Sequence, residues 1–308
     1  MIVIGGLTPA WQHILVFEDF RPGRVNRASE TRWCASGKVL NAALAAYHLG
    51  GLVRVLAAVG GQTRRQIEDD LEVFELDYRW VVTESPTRVC VTVIDRARQE
   101  VTELVEEAGP LTQAELDQFA AAWREEVAKA RVALLIGSLP TRTSPDYYRE
   151  LAASACCPLI VDCAGPPLLA TLNRRPFLVK PNREELERTL GCSIRGDEEL
   201  RRAIEELRAQ GAERVLVTNG PAPAWFSGPE GKFRFHPPGA AHKVNPIGSG
   251  DALAGAIAVA LTQGKNIIEA IKIGMGAAVD NLEQLLPCRL RPTRVAELAA
   301  QVWVEQIG

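Results

Sequence analysis

The middle of the chain alternates short apolar runs with amphipathic segments, and this alternation constrains the fold more than any other feature. The predicted strands lie at residues 132–136, 158–162, 177–180 and 214–218, and the predicted helices at 145–153, 167–172, 184–190 and 198–210. Strands and helices that alternate in this way form a parallel sheet covered by helices on both faces. The sequence therefore predicts an α/β fold, in which ligands bind beyond the carboxyl ends of the strands.

The flanking segments extend this pattern and add a second kind of structure. Strands are predicted at 1–7 and 53–59, helices at 38–49, 64–74, 111–129, 251–261, 267–280 and 293–305, and a β-meander at 225–236. Two β-rich blocks, at about 8–35 and 84–107, fall outside the alternation. Because no Pro/Ser-rich linker separates these blocks from the remaining chain, we expect residues 1–308 to form one α/β domain on which the two insertions build a small β lid.

Composition excludes several classes of function. The 308 residues carry a formal net charge of -3, which provides neither a basic surface for nucleic acid nor a polybasic patch for a membrane. No apolar run approaches the roughly 20 residues of a bilayer-spanning helix, and the chain starts with a predicted strand rather than a signal peptide. The seven cysteines are scattered without a Cys-x-x-Cys pair. A disulfide framework and a zinc site are therefore not expected, and a reducing cytoplasm is the expected location.

The stretch at residues 244–255 combines two glycines with the start of an alanine-rich helix. Its sequence is Val-Asn-Pro-Ile-Gly-Ser-Gly-Asp-Ala-Leu-Ala-Gly. Backbone N–H groups converge at such a turn, where the helix dipole is positive, so Gly248, Ser249 and Gly250 are suited to holding an anion. A carboxylate at Asp251 would repel a phosphate, unless its task is to take a proton from a hydroxyl that attacks the phosphate. The alternative interpretation is structural, with Asp251 interacting favourably with the helix dipole.

A second stretch, Lys-Pro-Asn-Arg-Glu-Glu at residues 180–185, follows an apolar strand and opens a helix. Asn182 and Glu185 are spaced as a capping box, which is the structural interpretation. The functional interpretation is that both side chains face a metal–phosphate region and order Mg²⁺ mostly through water, because magnesium keeps several of its waters.

Two cations and an amide complete the set of candidate residues. Lys38 and Asn41 share one face of the first turn of a predicted helix, where they could meet an anionic group and a hydroxyl. Arg88 lies in the predicted lid, and its fixed fork of donors suits a phosphate. Taken singly, each of these residues is better explained as a solvated side chain or a polar cap.

Taken together, the fragments resemble the PfkB (ribokinase-like) carbohydrate kinases, and among them the branch of 1-phosphofructokinases and tagatose-6-phosphate kinases. The most specific matching segments are residues 180–186 and 248–251, and the others are residues 23–28, 37–41, 87–88, 101–104 and 137–140. The resemblance covers nearly the whole chain in the right order. It implies a ribokinase-like three-layer α/β/α core with a mostly parallel central sheet and a small β-sheet lid.

The same resemblance implies transfer of the γ-phosphoryl group of ATP, with Mg²⁺, to a hydroxyl of a sugar or sugar phosphate. Asp251 would be the general base, beside an anion hole formed by Gly248, Ser249 and Gly250. The residues implied in substrate binding are Gln12, Gly37, Lys38, Asn41 and Arg88, and those implied in nucleotide binding are Lys180, Thr218, Gly220, Gly248, Gly250 and Asn281. Asn182 and Glu185 would organise Mg²⁺. The exposed strand edges of a lid are commonly buried against a partner, so a homodimer through the lid is expected.

Departures from the family pattern cluster around the sugar. Gln12 stands where the branch has an aspartate that binds sugar hydroxyls, and an amide lacks the strength of a charged acceptor. Ser36 and Val39 replace two glycines of a Gly-Gly-Lys-Gly run, and Cys90 replaces an asparagine. The phosphoryl-transfer motifs, in contrast, are complete.

These departures leave two alternatives open besides a sugar-phosphate kinase. One is a kinase for an unphosphorylated sugar or a nucleoside, and the other is a sensor that binds nucleotide or sugar phosphate without turnover. A dinucleotide-dependent oxidoreductase is disfavoured, because the Gly-x-Gly at 248–250 comes late in the chain and lacks a third glycine at the fingerprint spacing.

Overall fold

A computed structural model of the chain describes residues 1–307 and contains two separate β-sheets. The strands of the larger sheet, in their order across it, are β14 (Trp303–Ile307), β13 (Gly231–His236), β12 (Ala222–Gly228), β11 (Val215–Asn219), β10 (Leu178–Val179), β9 (Leu159–Asp162), β8 (Val132–Ile136), β1 (Ile2–Gly6), β4 (Val53–Gly60) and β5 (Asp77–Thr83). The seven strands from β11 to β5 run parallel, whereas β12 to β14 are antiparallel at one edge.

The central strands are apolar because both of their faces are covered. In β1, Ile2 pairs with Val53 on one side and Val132 on the other, and Ile2, Val3 and Ile4 have no solvent exposure. A strand buried on both faces reads as a continuous apolar run rather than as an alternating one. This burial on two sides is the origin of the apolar runs from which the parallel sheet was predicted.

The helices form two layers, one on each face of the larger sheet. One layer consists of α1 (Lys38–His48), α2 (Gly61–Leu71), α8 (Ser249–Thr262), α9 (Ile267–Leu282) and α10 (Pro292–Ala300). The other consists of α3 (Gln113–Val127), α4 (Asp146–Ala153), α5 (Pro166–Leu172), α6 (Arg183–Leu190) and α7 (Asp197–Ala209). The predicted three-layer ribokinase-like α/β fold is thus confirmed. Helix α8 packs so closely on α1 that a Cβ atom on Gly255 would lie 2.4 Å from the Ala42 carbonyl oxygen.

The smaller sheet is built from the two β-rich blocks that the sequence sets apart. Its strands, in their order across the sheet, are β3 (Glu30–Ser36), β2 (Ala10–Phe17), β6 (Arg88–Asp95) and β7 (Glu100–Val105). We call this sheet the lid. One of its faces carries a small apolar core of Ile14, Val16, Cys34 and Ile94, which packs against the loop after α9. The other face leaves Trp33 45% exposed.

The predicted helix at 293–305 is wrong at its C-terminal end. Helix α10 ends at Ala300, and Trp303–Ile307 instead form β14, an antiparallel partner of β13. The hydrogen-bonding groups along β13 would otherwise be exposed as a sheet edge, and the last residues of the chain satisfy them. Helix α2 also lies three residues earlier than predicted, at 61–71 rather than 64–74.

No helix among residues 1–307 is both long enough and apolar enough to span a bilayer.

Candidate active site

A cavity with a volume of about 920 Å³ lies between the lid and the carboxyl ends of the parallel strands. This is the position at which open parallel sheets bind their ligands. The predicted site residues that line it are Gln12, Gly37, Lys38, Asn41, Arg88, Lys180, Asn182, Glu185, Thr218, Gly220, Gly248, Ser249, Gly250 and Asp251. The fold thus brings to one cavity residues that are up to 239 positions apart in the sequence, from Gln12 to Asp251.

The turn before α8 has the geometry of an anion-binding site. Gly248 has a φ of 87°, in the left-handed region, and a Cβ atom there would lie 3.1 Å from Pro287 Cβ and 3.2 Å from Cys288 Sγ. Glycine is therefore required both by the backbone and by the neighbours. The Ser249 N–H donates to the Pro246 carbonyl (3.2 Å), so the N–H groups of Gly250 and Asp251 are the ones that remain at the open end of the helix.

Asp251 is held in the first turn of α8 and is 6% exposed. Its Oδ2 accepts a hydrogen bond from Asn41 Nδ2 at 2.9 Å. Burial raises the pKa of Asp251 to about 6, although the neighbouring Lys38 ammonium opposes this shift. A carboxyl group with a pKa near neutrality that lines a cavity is suited to accepting a proton from a bound hydroxyl.

Asp162, which the sequence analysis did not select, joins two predicted cations. It ends β9, is completely buried, and pairs with Lys38 Nζ at 3.0 Å and with Lys180 Nζ at 2.8 Å. Desolvation would raise the pKa of Asp162, but the two ammonium groups outweigh it and lower the pKa. Its signal in the sequence was its place at the carboxyl end of a predicted parallel strand, where ligand-site residues concentrate.

Lys38 also pairs with Glu185, whose Oε1 lies 2.9 Å from its Nζ. These carboxylates raise the pKa of Lys38 in spite of its desolvation, so the side chain remains an ammonium ion. Lys38 is therefore paired with two carboxylates before any substrate binds. Lys180 has one carboxylate partner, and its Nζ would lie 3.5 Å from a Cβ atom on Gly250, which places this ammonium group beside the anion-binding turn.

Asn182 and Glu185 form the capping box of α6. Asn182 Oδ1 accepts from the Glu185 N–H at 2.7 Å, and Glu185 Oε2 accepts from the Asn182 N–H at 2.8 Å. The structural interpretation of this pair therefore holds. Because both side chains also line the cavity, capping fixes two oxygen-bearing side chains at its wall.

The lid supplies the wall of the cavity opposite the helix termini. Gln12 is buried, pairs in register with Cys90, and donates from Nε2 to Thr92 Oγ1 at 2.7 Å. This bond uses one of the two amide N–H groups, so the carbonyl oxygen and the second N–H remain for a ligand. Arg88 is half-buried and donates to the main-chain carbonyls of Thr8 (3.1 Å) and Glu106 (3.2 Å). These bonds hold the guanidinium group without neutralising its charge.

The other positions that depart from the family pattern have different surroundings. Cys90 lines the cavity, and burial raises the pKa of its thiol, which is therefore neutral. Ser36 also lines the cavity, whereas Val39 is 1% exposed and belongs to the core between α1 and the sheet. Glu103 of β7 reaches the same wall and was not selected from the sequence. Its register partner is Thr92, the residue that holds Gln12.

The part of the cavity near the end of β11 is more apolar. It is lined by Thr218 and Gly220 at the end of β11 and by small or apolar residues, namely Ala222, Ala224, Pro237, Pro238, Ala278 and Leu282. Lys243, which was not predicted from the sequence, also lines the cavity. A slot of this composition suits an aromatic base, while the polar groups lie toward the anion-binding turn.

Asn281 does not line the cavity, although its helix does. Its Nδ2 donates to the Ile247 carbonyl and to Ser249 Oγ, both at 2.9 Å, and its Oδ1 accepts from the Cys288 N–H at 2.7 Å. Asn281 has no solvent exposure. The side chain thus braces the anion-binding turn from behind, and α9 reaches the cavity through Ala278, Val279 and Leu282 instead.

One cavity that offers an open helix terminus, two ammonium groups and a buried carboxylate can hold a polyphosphate and deprotonate a hydroxyl beside it, which is the chemistry of a small-molecule kinase. The model of the pfkB family carbohydrate kinases matches residues 2–292 of the chain. The protein belongs to this family.

Individual relatives agree with this assignment. The chain is 29% identical over 306 residues to a 1-phosphofructokinase from Rhodobacter capsulatus, covering 98% of this chain and 96% of that protein. It is 26% identical over 313 residues to a tagatose-6-phosphate kinase from Staphylococcus epidermidis, covering 100% of both. The solved structure of Escherichia coli phosphofructokinase-2 in complex with fructose-6-phosphate is similar with a TM-score of 0.83 and 25% identity, covering 97% of this chain and 99% of that one. The protein is a carbohydrate kinase that transfers a phosphoryl group from ATP to a sugar or sugar phosphate.

Proposed function

We propose that the acceptor is a ketohexose phosphate and that Asp251 is the general base that activates its hydroxyl. The observation that carries the role of the base is the position of Asp251, a buried carboxyl with a pKa of about 6, at the open N-terminus of α8 in the wall of the cavity. A base with a pKa near the operating pH is largely ionised and still a useful proton acceptor.

In the proposed reaction, the acceptor hydroxyl loses its proton to Asp251 while its oxygen attacks the γ-phosphorus of ATP. The new O–P bond forms as the bond between the γ-phosphorus and the β,γ-bridging oxygen breaks, and ADP leaves. In this proposal the N–H groups of Gly250 and Asp251 and the Lys180 ammonium stabilise the charge on the transferred group, which is supported by the position of Lys180 Nζ beside Gly250. The protein thus contributes orientation and charge, and it forms no covalent intermediate.

We propose that Mg²⁺ accompanies ATP and contacts the protein mostly through water. Within residues 1–307, no cluster of three or more His, Cys, Asp or Glu side chains could hold a metal by itself. Glu185 nevertheless fits such an ion, because each of its oxygens accepts one hydrogen bond and keeps a lone pair, and Asn182 lies beside it. A bound Mg²⁺ would supply positive charge to the phosphate oxygens.

Arg88 supports a phosphorylated acceptor over a free sugar. Among the described residues its guanidinium group makes no ion pair with a carboxylate, although it lies in the cavity wall near Gln12 and Cys90. A cation fixed by neutral carbonyls keeps its charge for an anionic ligand. Lys38 is less available for this task, because Asp162 and Glu185 already neutralise it.

The acceptor is tested by measuring ADP release over a panel of fructose 1-phosphate, fructose 6-phosphate, tagatose 6-phosphate, the free ketohexoses, ribose and adenosine, with Asp251→Asn as the inactive control. We expect turnover with at least one ketohexose phosphate and at least tenfold lower kcat/KM with its free sugar. Turnover confined to a free sugar or a nucleoside would overturn the proposed acceptor. Binding of ATP without turnover of any acceptor would indicate a sensor.

We also propose a homodimer formed by the outer face of the lid. On this face Trp33 stacks on His13, with ring centroids 3.8 Å apart, and Leu104 is 57% exposed. Aromatic and aliphatic side chains exposed together on a sheet are typical of a buried interface. The cysteines of the described chain are unpaired, which suits a cytoplasmic location, and we propose this location for the protein.

A further inference from the structure

The general base is the end of a chain of buried hydrogen bonds that starts in the lid. Ser36, the last residue of β3, donates from Oγ to Asn41 Oδ1 at 3.1 Å. Asn41 in turn donates from Nδ2 to Asp251 Oδ2 at 2.9 Å. Ser36 is 1% exposed, Asn41 2% and Asp251 6%, so water does not compete freely for these bonds.

We propose that Ser36 is a positioning residue for the kinase reaction. Its hydroxyl holds the Asn41 amide with its NH2 group toward Asp251. The inference rests on the role proposed above for Asp251. Ser36 is one of the residues at which this chain departs from the family pattern, in which a glycine occupies the position and offers no hydroxyl.

The physical reason is the asymmetry of the amide. Its oxygen can only accept and its nitrogen can only donate, so the two orientations of Asn41 have opposite effects on an ionised carboxylate. With NH2 toward Asp251, the carboxylate gains a donor. With the orientation reversed, two acceptors would face each other in a buried place, at a cost typical of an unsatisfied polar group.

Among residues 1–307, Ser36 is the side chain that donates a hydrogen bond to the Asn41 amide oxygen. Removing the hydroxyl leaves this buried oxygen without a donor, so the observed orientation of the amide loses one of the hydrogen bonds that stabilise it. The amide nitrogen also packs against the anion-binding turn, since a Cβ atom on Gly248 would lie 3.4 Å from it. Loss of this amide orientation would therefore perturb both Asp251 and the turn at Gly248.

The other groups around Asp251 are not altered by a change at Ser36. The titratable and charged side chains that face Asp251 come from α1, from the ends of β9 and β10, and from the loop after α9, and they are Lys38, Asp162, Lys180 and Cys288. A donated hydrogen bond favours the ionised carboxyl and lowers its pKa, so weakening it raises the pKa and moves the acidic limb of kcat/KM to higher pH.

The experiment compares Ser36→Ala with the wild type over pH 5 to 9. We expect the acidic limb to move upward by about 0.5 pH unit, a threefold change in the acid dissociation constant, and KM for ATP to stay within twofold. Cys34→Ala is the matched control, because it removes a buried sulfur two residues earlier on the same strand, and Cys34 makes no hydrogen bond to Asn41 or Asp251. An equal displacement in Cys34→Ala, or none in Ser36→Ala, would overturn the proposal.

Two further measurements keep the result interpretable. In an Asn41→Ala background, Ser36→Ala is expected to change the pH profile no further, because its effect passes through the amide.

Titration of the carboxyl carbons by ¹³C NMR in ligand-free protein gives the pKa of Asp251 without turnover. The Asp251 signal is assigned by its absence in Asp251→Asn. This titration still decides the role of Ser36 if no acceptor in the panel is phosphorylated, so failure of the proposed function and failure of this inference are distinguishable. An unchanged Asp251 titration in Ser36→Ala would refute it.

Discussion

Replacing Asp162 with Asn should damage both the stability of the protein and its active site, because this carboxylate is the hub of the buried charges. It has no solvent exposure and pairs with Lys38 at 3.0 Å and Lys180 at 2.8 Å. Lys38 retains Glu185 in the variant, whereas Lys180, whose side chain is 3% exposed, loses its carboxylate partner. An amide oxygen can still accept a hydrogen bond, but it does not compensate the buried charge.

Removing one partner of a buried ion pair typically lowers the free energy of unfolding by about 3–5 kcal/mol. Because Asn is nearly isosteric with Asp, we expect Asp162→Asn to lower it by about 3 kcal/mol, the lower end of this range. At about 2.1 cal/mol/K per residue, a chain of 308 residues has an unfolding entropy of about 0.65 kcal/mol/K. The melting temperature should therefore fall by about 5 °C. Because Lys180 lies beside Gly250, kcat should also fall, by at least tenfold, with a smaller change in the affinity for the acceptor.

Urea and thermal unfolding followed by circular dichroism test the stability effect at pH 7, with Asp146→Asn as the control. Asp146 pairs with Arg149 at 3.1 Å on the surface of α4 and is 53% exposed, so its loss should cost less than about 0.5 kcal/mol. The pKa of Asp162 is lowered in the fold, so its contribution is present above the ordinary pKa of 3.8 and is lost as the pH falls through the lowered value. A loss of stability in Asp162→Asn no larger than in Asp146→Asn would refute the reasoning.

Three further predictions concern the base, the acceptor and the lid. Asp251→Asn should lower kcat at least 10²-fold and yet stabilise the fold by about 2–3 kcal/mol at pH 8. Burial raises the pKa of Asp251 in the folded protein to about 6, so the wild-type carboxyl destabilises the fold as the pH rises from 3.8 through that value. Denaturation of both proteins at pH 4 and pH 8 checks this, and an equal difference in stability at the two pH values would contradict it. Arg88→Ala should raise KM for a ketohexose phosphate by roughly 10–100-fold, which corresponds to the loss of a charged hydrogen bond. Arg88→Lys should give an intermediate KM, and KM for the free sugar should not change. Equal increases in KM for both acceptors would argue against an anionic acceptor. Trp33→Lys should weaken a lid-mediated dimer at least tenfold by sedimentation equilibrium without changing the ATP affinity, and an unchanged mass distribution would place any interface elsewhere.

Local sequence signals were sufficient for most of the fold and for the two motif segments, 180–185 and 248–251, that supply part of the cavity wall. The apolar runs of the middle strands require burial on both faces, and Gly248 adopts a left-handed backbone conformation that larger residues rarely adopt. The capping box at Asn182 and Glu185 was likewise readable from its spacing. The end of α10 was not, because the chain leaves the helix to pair with β13, a strand about 70 residues earlier in the sequence.

The sequence by itself determined the α/β fold, its lid and the kinase motifs, since each of these follows from periodicity, from turn residues or from short contiguous segments. The tertiary structure alone decided which groups meet. It joined Asp162 to Lys38 and Lys180, turned Asn281 away from the cavity, and linked Ser36 through Asn41 to Asp251. The reason is physical: a hydrogen bond or ion pair depends on distances of about 3 Å. For pairs that are far apart in the sequence, such as Lys38 with Asp162 and Asn41 with Asp251, only the packing of the whole chain fixes such distances.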